Sequence, residues 1–278
     1  MSGAPPPLPT AVLDTLRPTA HRLVVHRRGS TVWDVTGPHG RHAVKLGYPI
    51  EATPDWPAQP WTALAPARER SVLTHLGIDH TFSGTWQHGT WNIQPWRDGT
   101  DLHTHWKPHR QAEPTTEPDT DTALACVTAL ADLHAHGWVH GDVQPAHLLT
   151  TPHRTHLIDL ALARGGPVPP EYDFPYRGCL VHYEAPEIAH SVLTTGRAEP
   201  TPEADVYALG AALLISATGW RAVQYSDHAP RPVQRQAVAD GHRRPVRAPG
   251  KLGDLVDAML SHHPGDRPTL HQAHDALT

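Results

Sequence analysis

The order of apolar and polar residues divides the chain into a strand-rich first part and a mainly helical second part. Apolar and polar side chains alternate in three short runs near the N-terminus, Arg22–His26, Thr31–Val35 and Arg41–Leu46. Alternation with a period of two is typical of strands that bury one face of a sheet. Because tight turns containing Gly separate the runs, we expect an antiparallel sheet.

One helix and one hairpin complete the first part. In the segment Ala67–Leu76 the apolar residues fall on one helical face, which predicts an amphipathic helix. The runs Thr81–Trp86 and Thr90–Pro95 alternate again on either side of Gly89, which predicts a two-stranded hairpin.

Helical spacing dominates the second part. Apolar residues recur every third or fourth position in Thr122–His136, which predicts a long helix. The Pro-rich and polar segment Gln111–Asp121 before it is expected to be a solvated linker. Two short strands are predicted around Val139 and over His156–Leu160, and most of the remaining chain is predicted to be helical. Strands first and helices later indicate the α+β class.

These patterns give three segments along the chain. Residues 1–20 are predicted to be a flexible leader with one amphipathic turn, residues 21–96 a strand-rich lobe, and residues 97–278 a helical lobe. The first residues lack the basic and apolar regions of a signal peptide. No apolar run is long enough to cross a bilayer, so we expect no membrane segment.

Composition narrows the expected partners and compartment. The 278 residues include 23 Lys and Arg against 28 Asp and Glu, a formal net charge of −5. This balance provides neither a basic footprint for nucleic acid nor a polybasic membrane anchor. The two thiols, Cys126 and Cys179, are too few for a disulfide framework or a zinc site, so a cytoplasmic location is expected.

Lysine is rare in this chain. Only Lys45, Lys107 and Lys251 are present, whereas His and Pro number 24 and 30. This bias is typical of a GC-rich genome, and we expect an actinobacterial one. A Lys at a motif position is therefore informative, because chance rarely supplies one.

Charged residues at defined positions suggest phosphate chemistry. Lys45 ends the sequence Ala-Val-Lys on the third predicted strand, and Glu69 lies on the predicted helix. Asp142 belongs to the sequence His-Gly-Asp-Val-Gln-Pro-Ala-His over residues 140–147. Asp159 ends an apolar run, where a carboxylate suits a hard cation held between phosphate oxygens.

Together with three later segments, these motifs resemble the protein-kinase-like superfamily, in particular its Ser/Thr kinases. The later segments are Tyr-Glu-Ala-Pro-Glu at 183–187, Asp-Val-Tyr-Ala-Leu-Gly at 205–210 and Pro-Gly-Asp-Arg-Pro-Thr at 264–269. The resemblance implies a bilobal fold with a small antiparallel β N-lobe carrying one helix and a mainly helical C-lobe. It also implies that ATP is bound and that its γ-phosphoryl group passes to a hydroxyl of a peptide, protein or small molecule.

The resemblance assigns a role to each candidate residue. Lys45 would hold the ATP phosphates and pair with Glu69, and Asp142 would orient or deprotonate the acceptor hydroxyl. Asp159 and His147 would be the metal residues, for Mg or alternatively Mn. The nucleotide contacts implied by alignment are Val32, Ala43 and Leu149 at the adenine ring, Gln94 behind it, and Pro95 and Arg97 in the hinge.

Three structural roles also follow from the resemblance. Asp205 would brace the backbone of the catalytic loop. Glu187 and Arg267 would form a partly buried ion pair.

Several positions depart from the family pattern and leave an alternative open. Gly29 is the only Gly where the family has a glycine-rich phosphate loop; Arg27 and Arg28 either compensate as cations or are merely exposed charges. The other departures are Gly141 for Arg, Gln144 for Lys, His147 for the metal-binding Asn and Leu180 for Thr. The alternative is a pseudokinase, a nucleotide-binding or scaffolding partner of another enzyme. Such a pseudokinase would belong to a peptide natural-product pathway. Within the active class, an enzyme acting on Ser or Thr of a precursor peptide would resemble the kinase components of lanthipeptide-type pathways and would need a partner protein for phosphate elimination.

Overall fold

The structure is a computed structural model that describes residues 4–27, 29–53, 58–112, 116, 118–246, 248 and 250–278. The chain forms two compact units. Unit 1 comprises Met1–Arg97 and Gly166–Phe174, and unit 2 comprises Asp98–Gly165 and Pro175–Thr278. An antiparallel sheet in unit 1 and a mainly helical unit 2 confirm the predicted α+β class.

Unit 1 is built on a five-stranded antiparallel sheet in the order β1-β2-β3-β5-β4. The strands are β1 (Ala20–Arg27), β2 (Ser30–Gly37), β3 (Gly40–Gly47), β4 (Phe82–Trp86) and β5 (Gly89–Pro95). All five were expected from the alternating pattern, and each observed strand matches its predicted run closely.

A helix packs on each face of this sheet. Helix α2 (Ala65–His75) contacts β5, while α1 (Thr10–Leu16) belongs to a hydrophobic cluster on the opposite face. In that cluster Leu8, Val12 and Leu16 bury their side chains against strand residues such as Val44. A short 3-10 helix, Pro60–Ala63, precedes α2.

The described part of the predicted leader is therefore packed on the sheet. Val12 and Leu16, spaced by four, lie on one side of α1, and Leu8 lies just before the helix. The face of β3 that carries Val44 points away from α2, because side chains alternate along a strand. Helix α1 covers that face and so completes the core of unit 1.

Unit 2 contains eight helices among its described residues and a three-stranded sheet. The helices are α3 (Leu102–His105), α4 (Lys107–Gln111), α5 (Thr120–Ala135), α6 (Pro186–Thr195), α7 (Pro202–Thr218), α8 (Arg231–Ala239), α9 (Gly250–Met259) and α10 (Leu270–Leu277). Its strands are β6 (Thr100–Asp101), β7 (Leu148–Thr150) and β8 (Thr155–Leu157). Four 3-10 turns join them, at Pro145–His147, Leu160–Leu162, Val181–Tyr183 and Pro264–Asp266.

Helix α7 forms the centre of unit 2. It is apolar on all sides and almost wholly buried, as expected for a helix without a solvent face. Thr201 caps its first turn by accepting the N–H of Ala204 at 3.2 Å. The cap fixes the start of the helix, and Asp205 lies in its first turn.

Local differences from the sequence prediction have simple causes. Helix α5 begins before the predicted Thr122 because Asp119 accepts the Thr122 N–H at 2.7 Å and caps the helix. The strand predicted around Val139 is a single bridge to Arg164. Residues 113–115 and 117 of the predicted linker lie outside the described part of the chain.

None of the helices described combines the length and the apolar character required to cross a bilayer.

Candidate active site

Lys45 and Glu69 form a partly buried ion pair within unit 1. Lys45 lies on β3 and Glu69 on α2, and the Lys45 Nζ donates to Glu69 Oε1 at 2.7 Å. The side chains are 14% and 1% exposed, respectively. The contact predicted from the sequence is thus present.

Asn92 on β5 fixes the second oxygen of Glu69. Its Nδ2 donates to Glu69 Oε2 at 3.0 Å and to the Pro66 carbonyl at 2.9 Å. Asn92 is fully buried and lies opposite Lys45 in the β3–β5 register. One amide therefore ties α2 to the sheet and holds the carboxylate that Lys45 contacts.

The predicted adenine residues of unit 1 share the sheet face of Lys45. Val32 is paired with Lys45 across β2 and β3, and Ala43 is paired with Gln94 across β3 and β5. Pro95 ends β5 and Arg97 follows it, both half-buried. Leu149, by contrast, belongs to unit 2 and lies half-buried on β7.

The turn that replaces the phosphate loop is short. Arg27 and Ser30 are paired, so β1 and β2 are joined by two residues. The Tyr48 hydroxyl donates to the Arg27 carbonyl at 2.8 Å and ties this turn to the segment after β3. The side chain of Arg27 is exposed, and Arg28 lies outside the described residues.

Arg68, next to Glu69 on α2, holds the segment Gly166–Phe174 within unit 1. Its guanidinium is almost fully buried, with Nε 3.7 Å from Asp173 Oδ1. The same guanidinium lies over the Phe174 ring, 5.6 Å from its centroid. Part of the chain that follows Asp159 is therefore anchored to the helix that carries Glu69.

In unit 2, Asp205 braces the loop that carries Asp142. Its carboxylate accepts the backbone N–H groups of His140 at 2.6 Å and Gly141 at 2.9 Å. It also accepts a hydrogen bond from His134 Nε2 at 2.9 Å. This arrangement matches the bracing role that the resemblance implied.

His140 is held as a neutral ring beneath the same loop. Its Nδ1 accepts the Asp142 N–H at 3.2 Å, so Nε2 carries the proton and donates to the Ile158 carbonyl at 3.1 Å. Burial lowers the pKa of His140 to about 4. The ring thus links the loop before Asp142 to the strand end before Asp159.

His147 lies between Asp142, the predicted catalytic residue, and Asp159, the predicted metal residue. Its Nδ1 donates to the Asp142 carbonyl at 2.9 Å and lies 3.6 Å from Asp142 Oδ2. Its Nε2 lies 3.3 Å from Asp159 Oδ2. Gln144 donates to the other Asp142 oxygen, Oδ1, at 3.1 Å. Unit 2 thus brings together all three of its predicted catalytic and metal residues.

The two carboxylates shift the pKa of His147. Burial is the largest effect and disfavours the charged ring, but Asp142 and Asp159 together outweigh it and raise the pKa of His147. Asp159, which faces the His147 ring, has a φ of 63°, a left-handed conformation that is uncommon for any residue except Gly. Such backbone strain often accompanies a functional position.

The donor set fits one magnesium ion better than two. Mg²⁺ is usually held by one or two carboxylates together with phosphate oxygens, and Asp159 can provide such a ligand. Both ring nitrogens of His147 already face oxygen atoms. Across the described ranges, no group of three or more His, Cys, Asp or Glu residues forms a metal site of its own.

The segment before α6 is anchored in unit 2. The Tyr176 hydroxyl donates to the Gly141 carbonyl at 2.7 Å. Gly141 has a φ of 74°, and a Cβ there would lie 3.1 Å from the Leu162 carbonyl oxygen. The Arg that the family has at this position would therefore strain the loop. The Gly141 carbonyl is the atom that Tyr176 contacts.

Two ion pairs in this region are partly buried. Arg267 contacts both oxygens of Glu187 at 2.7 and 2.8 Å, which confirms the predicted pair. Arg235 on α8 contacts both oxygens of Glu184 at 2.6 and 2.9 Å. Sequence reasoning missed Asn92, Tyr176 and Arg235, because no local pattern relates each of them to its distant partner.

A known family model matches a large part of the chain. Residues 92–277, more than half of the chain, match the protein kinase domain. The chain therefore belongs to the protein kinase family. Asp142, His147 and Asp159 lie inside the matched region, whereas Lys45 and Glu69 precede it. A search of the curated proteins found no match.

Proposed function

We propose that the protein is an ATP-dependent phosphotransferase that moves the γ-phosphoryl group to a hydroxyl. The pair of the half-buried Lys45 and the buried Glu69 is the observation that carries this proposal. An ion pair removed from water adds little to stability, so its presence favours a role in binding. Lys45 is moreover one of only three Lys in the chain.

Each polar group has a defined task in the proposed reaction. The Lys45 Nζ binds phosphate oxygens of ATP while Glu69 and Asn92 keep it in place. Asp142 orients the acceptor hydroxyl and takes its proton. Gln144 contacts Asp142 Oδ1 and helps to hold the carboxylate in position for that role. Catalysis then depends mainly on position and charge.

The cofactor proposed for this reaction is magnesium. Asp159 would hold the ion, and His147 would orient Asp159 by donating a hydrogen bond through Nε2. The ion would neutralise charge on the transferred phosphoryl group. Ligation through His147 Nε2, with Mn in place of Mg, is the alternative. Val32, Ala43, Leu149, Pro95 and Arg97 are the proposed nucleotide contacts.

The Asp142→Asn variant tests this function. Transfer from Mg-ATP should fall at least tenfold, since a positioned proton acceptor contributes about 10²–10⁴ in rate. ATP affinity and melting temperature should stay near those of the wild type. Turnover above about a tenth of the wild-type rate would remove Asp142 from the mechanism.

A pseudokinase partner of another enzyme is the second candidate function. The short β1–β2 turn favours it, because Tyr48 holds that turn by its backbone and several glycines are missing. A melting-temperature titration with Mg-ATP, combined with an assay of ADP production, distinguishes the phosphotransferase from the pseudokinase. At about 100 times Kd, a ligand stabilises the fold by about 2.7 kcal/mol. Binding without ADP production, over a panel of peptide and small-molecule acceptors, would favour the pseudokinase.

A further inference from the structure

Helix α8 brings two arginines, Arg231 and Arg235, against the segment before α6, although the whole chain has a net charge of −5. Arg235 contacts the Arg177 carbonyl, and the neighbouring Arg231 on the same helix contacts the Cys179 carbonyl. The acidic group seated among these cations is Glu184. Arg235 thus pairs with Glu184, while Arg231 lies on the same helix and contacts the same backbone segment.

Both carboxylate oxygens of Glu184 contact Arg235. Its side chain is inaccessible, and besides both Arg235 contacts its Oε2 accepts the Cys179 N–H at 3.2 Å. A Cβ on Gly178 would lie 2.2 Å from this oxygen, so only Gly allows the carboxylate to sit so close to the backbone. The pair of Glu184 and Arg235 is therefore a closed structural unit.

Arg231 has no such carboxylate partner. Among the residues that the structure describes, its guanidinium donates to the Cys179 carbonyl and forms no ion pair. It is half-buried, and burial, together with the neighbouring Arg235, lowers its pKa. Since Arg stays protonated in proteins, this side chain is a partly desolvated cation held in a fixed position.

The same backbone segment connects Arg231 with the catalytic loop. Tyr176 contacts Gly141, the residue before Asp142, and Cys179 lies three positions further along the segment. Leu180, beside Cys179, is 42% exposed and offers an apolar contact at the same place.

We propose that Arg231 binds a carboxylate on the acceptor, close to the hydroxyl that receives the phosphoryl group. This inference rests on the proposed phosphotransferase function. An acceptor with an anionic group would provide the counter-charge that Arg231 lacks, and two N–H groups of a guanidinium match a carboxylate. The carboxylate can come from an acidic residue near a Ser or Thr of a peptide or from a small hydroxy acid.

Transfer assays on matched acceptors test the inference. One peptide library has a single Ser flanked by Glu, the second has Gln in place of Glu, and tartrate represents the small hydroxy acids. The wild type should use the Glu library or tartrate with a kcat/KM about tenfold or more above that of the Gln library. Arg231→Gln should abolish this preference, and Arg231→Lys should restore part of it.

Two controls separate this inference from the function on which it rests. Arg197→Gln changes an exposed Arg of the same unit and should keep the preference. Binding of hexaglutamate against hexaglutamine, measured by calorimetry, needs no turnover. Hexaglutamate binding that disappears in Arg231→Gln supports the site even when no acceptor is phosphorylated, and in that case the proposed reaction fails alone.

The opposite results would overturn the inference. Transfer without a preference for Glu or tartrate, or a preference that persists in Arg231→Gln, would leave the phosphotransferase function but remove the anion site. If hexaglutamate does not bind and no preference for Glu or tartrate is seen, the anion site at Arg231 is likewise removed. Melting curves of each variant would show that the fold is retained.

Discussion

At the scale of single residues, Lys45 gives the simplest test of nucleotide contact. We predict that Lys45→Ala weakens ATP binding or turnover at least tenfold, because a charge-assisted hydrogen bond is worth about 1.5–3 kcal/mol. Isothermal titration with ATP and a steady-state assay measure both quantities. Lys107→Ala provides a Lys outside the motif as control. Equal affinity and rate in wild type and Lys45→Ala would place Lys45 outside the site.

His147 is the residue at which the chain departs most from its family. If His147 only donates to Asp159, His147→Asn should lower the Mg²⁺ concentration needed for half-maximal transfer, because a positive charge leaves the cation site. His147→Ala should do the same without adding an oxygen ligand.

Mn²⁺ titrations of the same three proteins distinguish ligation from hydrogen bonding. Imidazole nitrogen accepts Mn²⁺ more readily than Mg²⁺. A wild type that is faster with Mn²⁺, and an Ala variant without that preference, would make His147 a ligand. Identical metal dependence in all three proteins would leave it a packing residue.

At the scale of elements, the segment from Leu160 to Glu187 determines how activity is controlled. It contains no Ser or Thr, and Tyr176 and Tyr183 are buried. Arg68 anchors its first half and Gly141 its second half. We predict that activity requires no phosphorylation of this segment.

The transfer rate after phosphatase treatment and in a Tyr172→Phe variant tests this prediction. Tyr172 is the half-buried tyrosine of the segment. Both treatments should leave the transfer rate unchanged, and intact-mass measurement should show the purified protein without phosphate. A rate that depends on either treatment would mean that these anchors do not hold the active conformation.

At the scale of the whole molecule, the N-terminal segment determines how completely unit 1 is packed. Leu16 is 4% exposed and Leu13 38% exposed on the same helix, α1. Leu16→Ala should cost about 2–5 kcal/mol of unfolding free energy if the site cannot collapse, as buried Leu→Ala changes do. Leu13→Ala should cost much less. Chemical denaturation compares the two variants, and equal costs would mean that α1 does not belong to the core.

The sequence predicts the parts of this molecule that depend on local pattern. Alternation predicted the five strands, and ordered motifs brought together Asp142, His147 and Asp159. The amphipathic turn in the leader was predicted and is present as α1, but its packing on the sheet was not, because a segment so rich in Pro resembles an unfolded leader until the apolar face it covers is known. Asn92 and Arg231 likewise become meaningful only through partners distant along the chain. The lobe boundaries at residues 21–96 and 97–278 remain a prediction.

The three hydrogen bonds accepted by Asp205 limit which side chain can occupy that position. Asn has nearly the same size and shape, but its amide has one accepting oxygen, and its NH₂ group would face an N–H donor. The neighbours of the carboxylate are all donors: the N–H groups of His140 and Gly141 and the ring of His134. A substitution that is conservative by volume is therefore the wrong polarity, and a buried donor left without an acceptor costs about 1–3 kcal/mol. The conformation of the loop that carries Asp142 therefore depends on the Asp205 carboxylate, a group that needs no contact with a substrate.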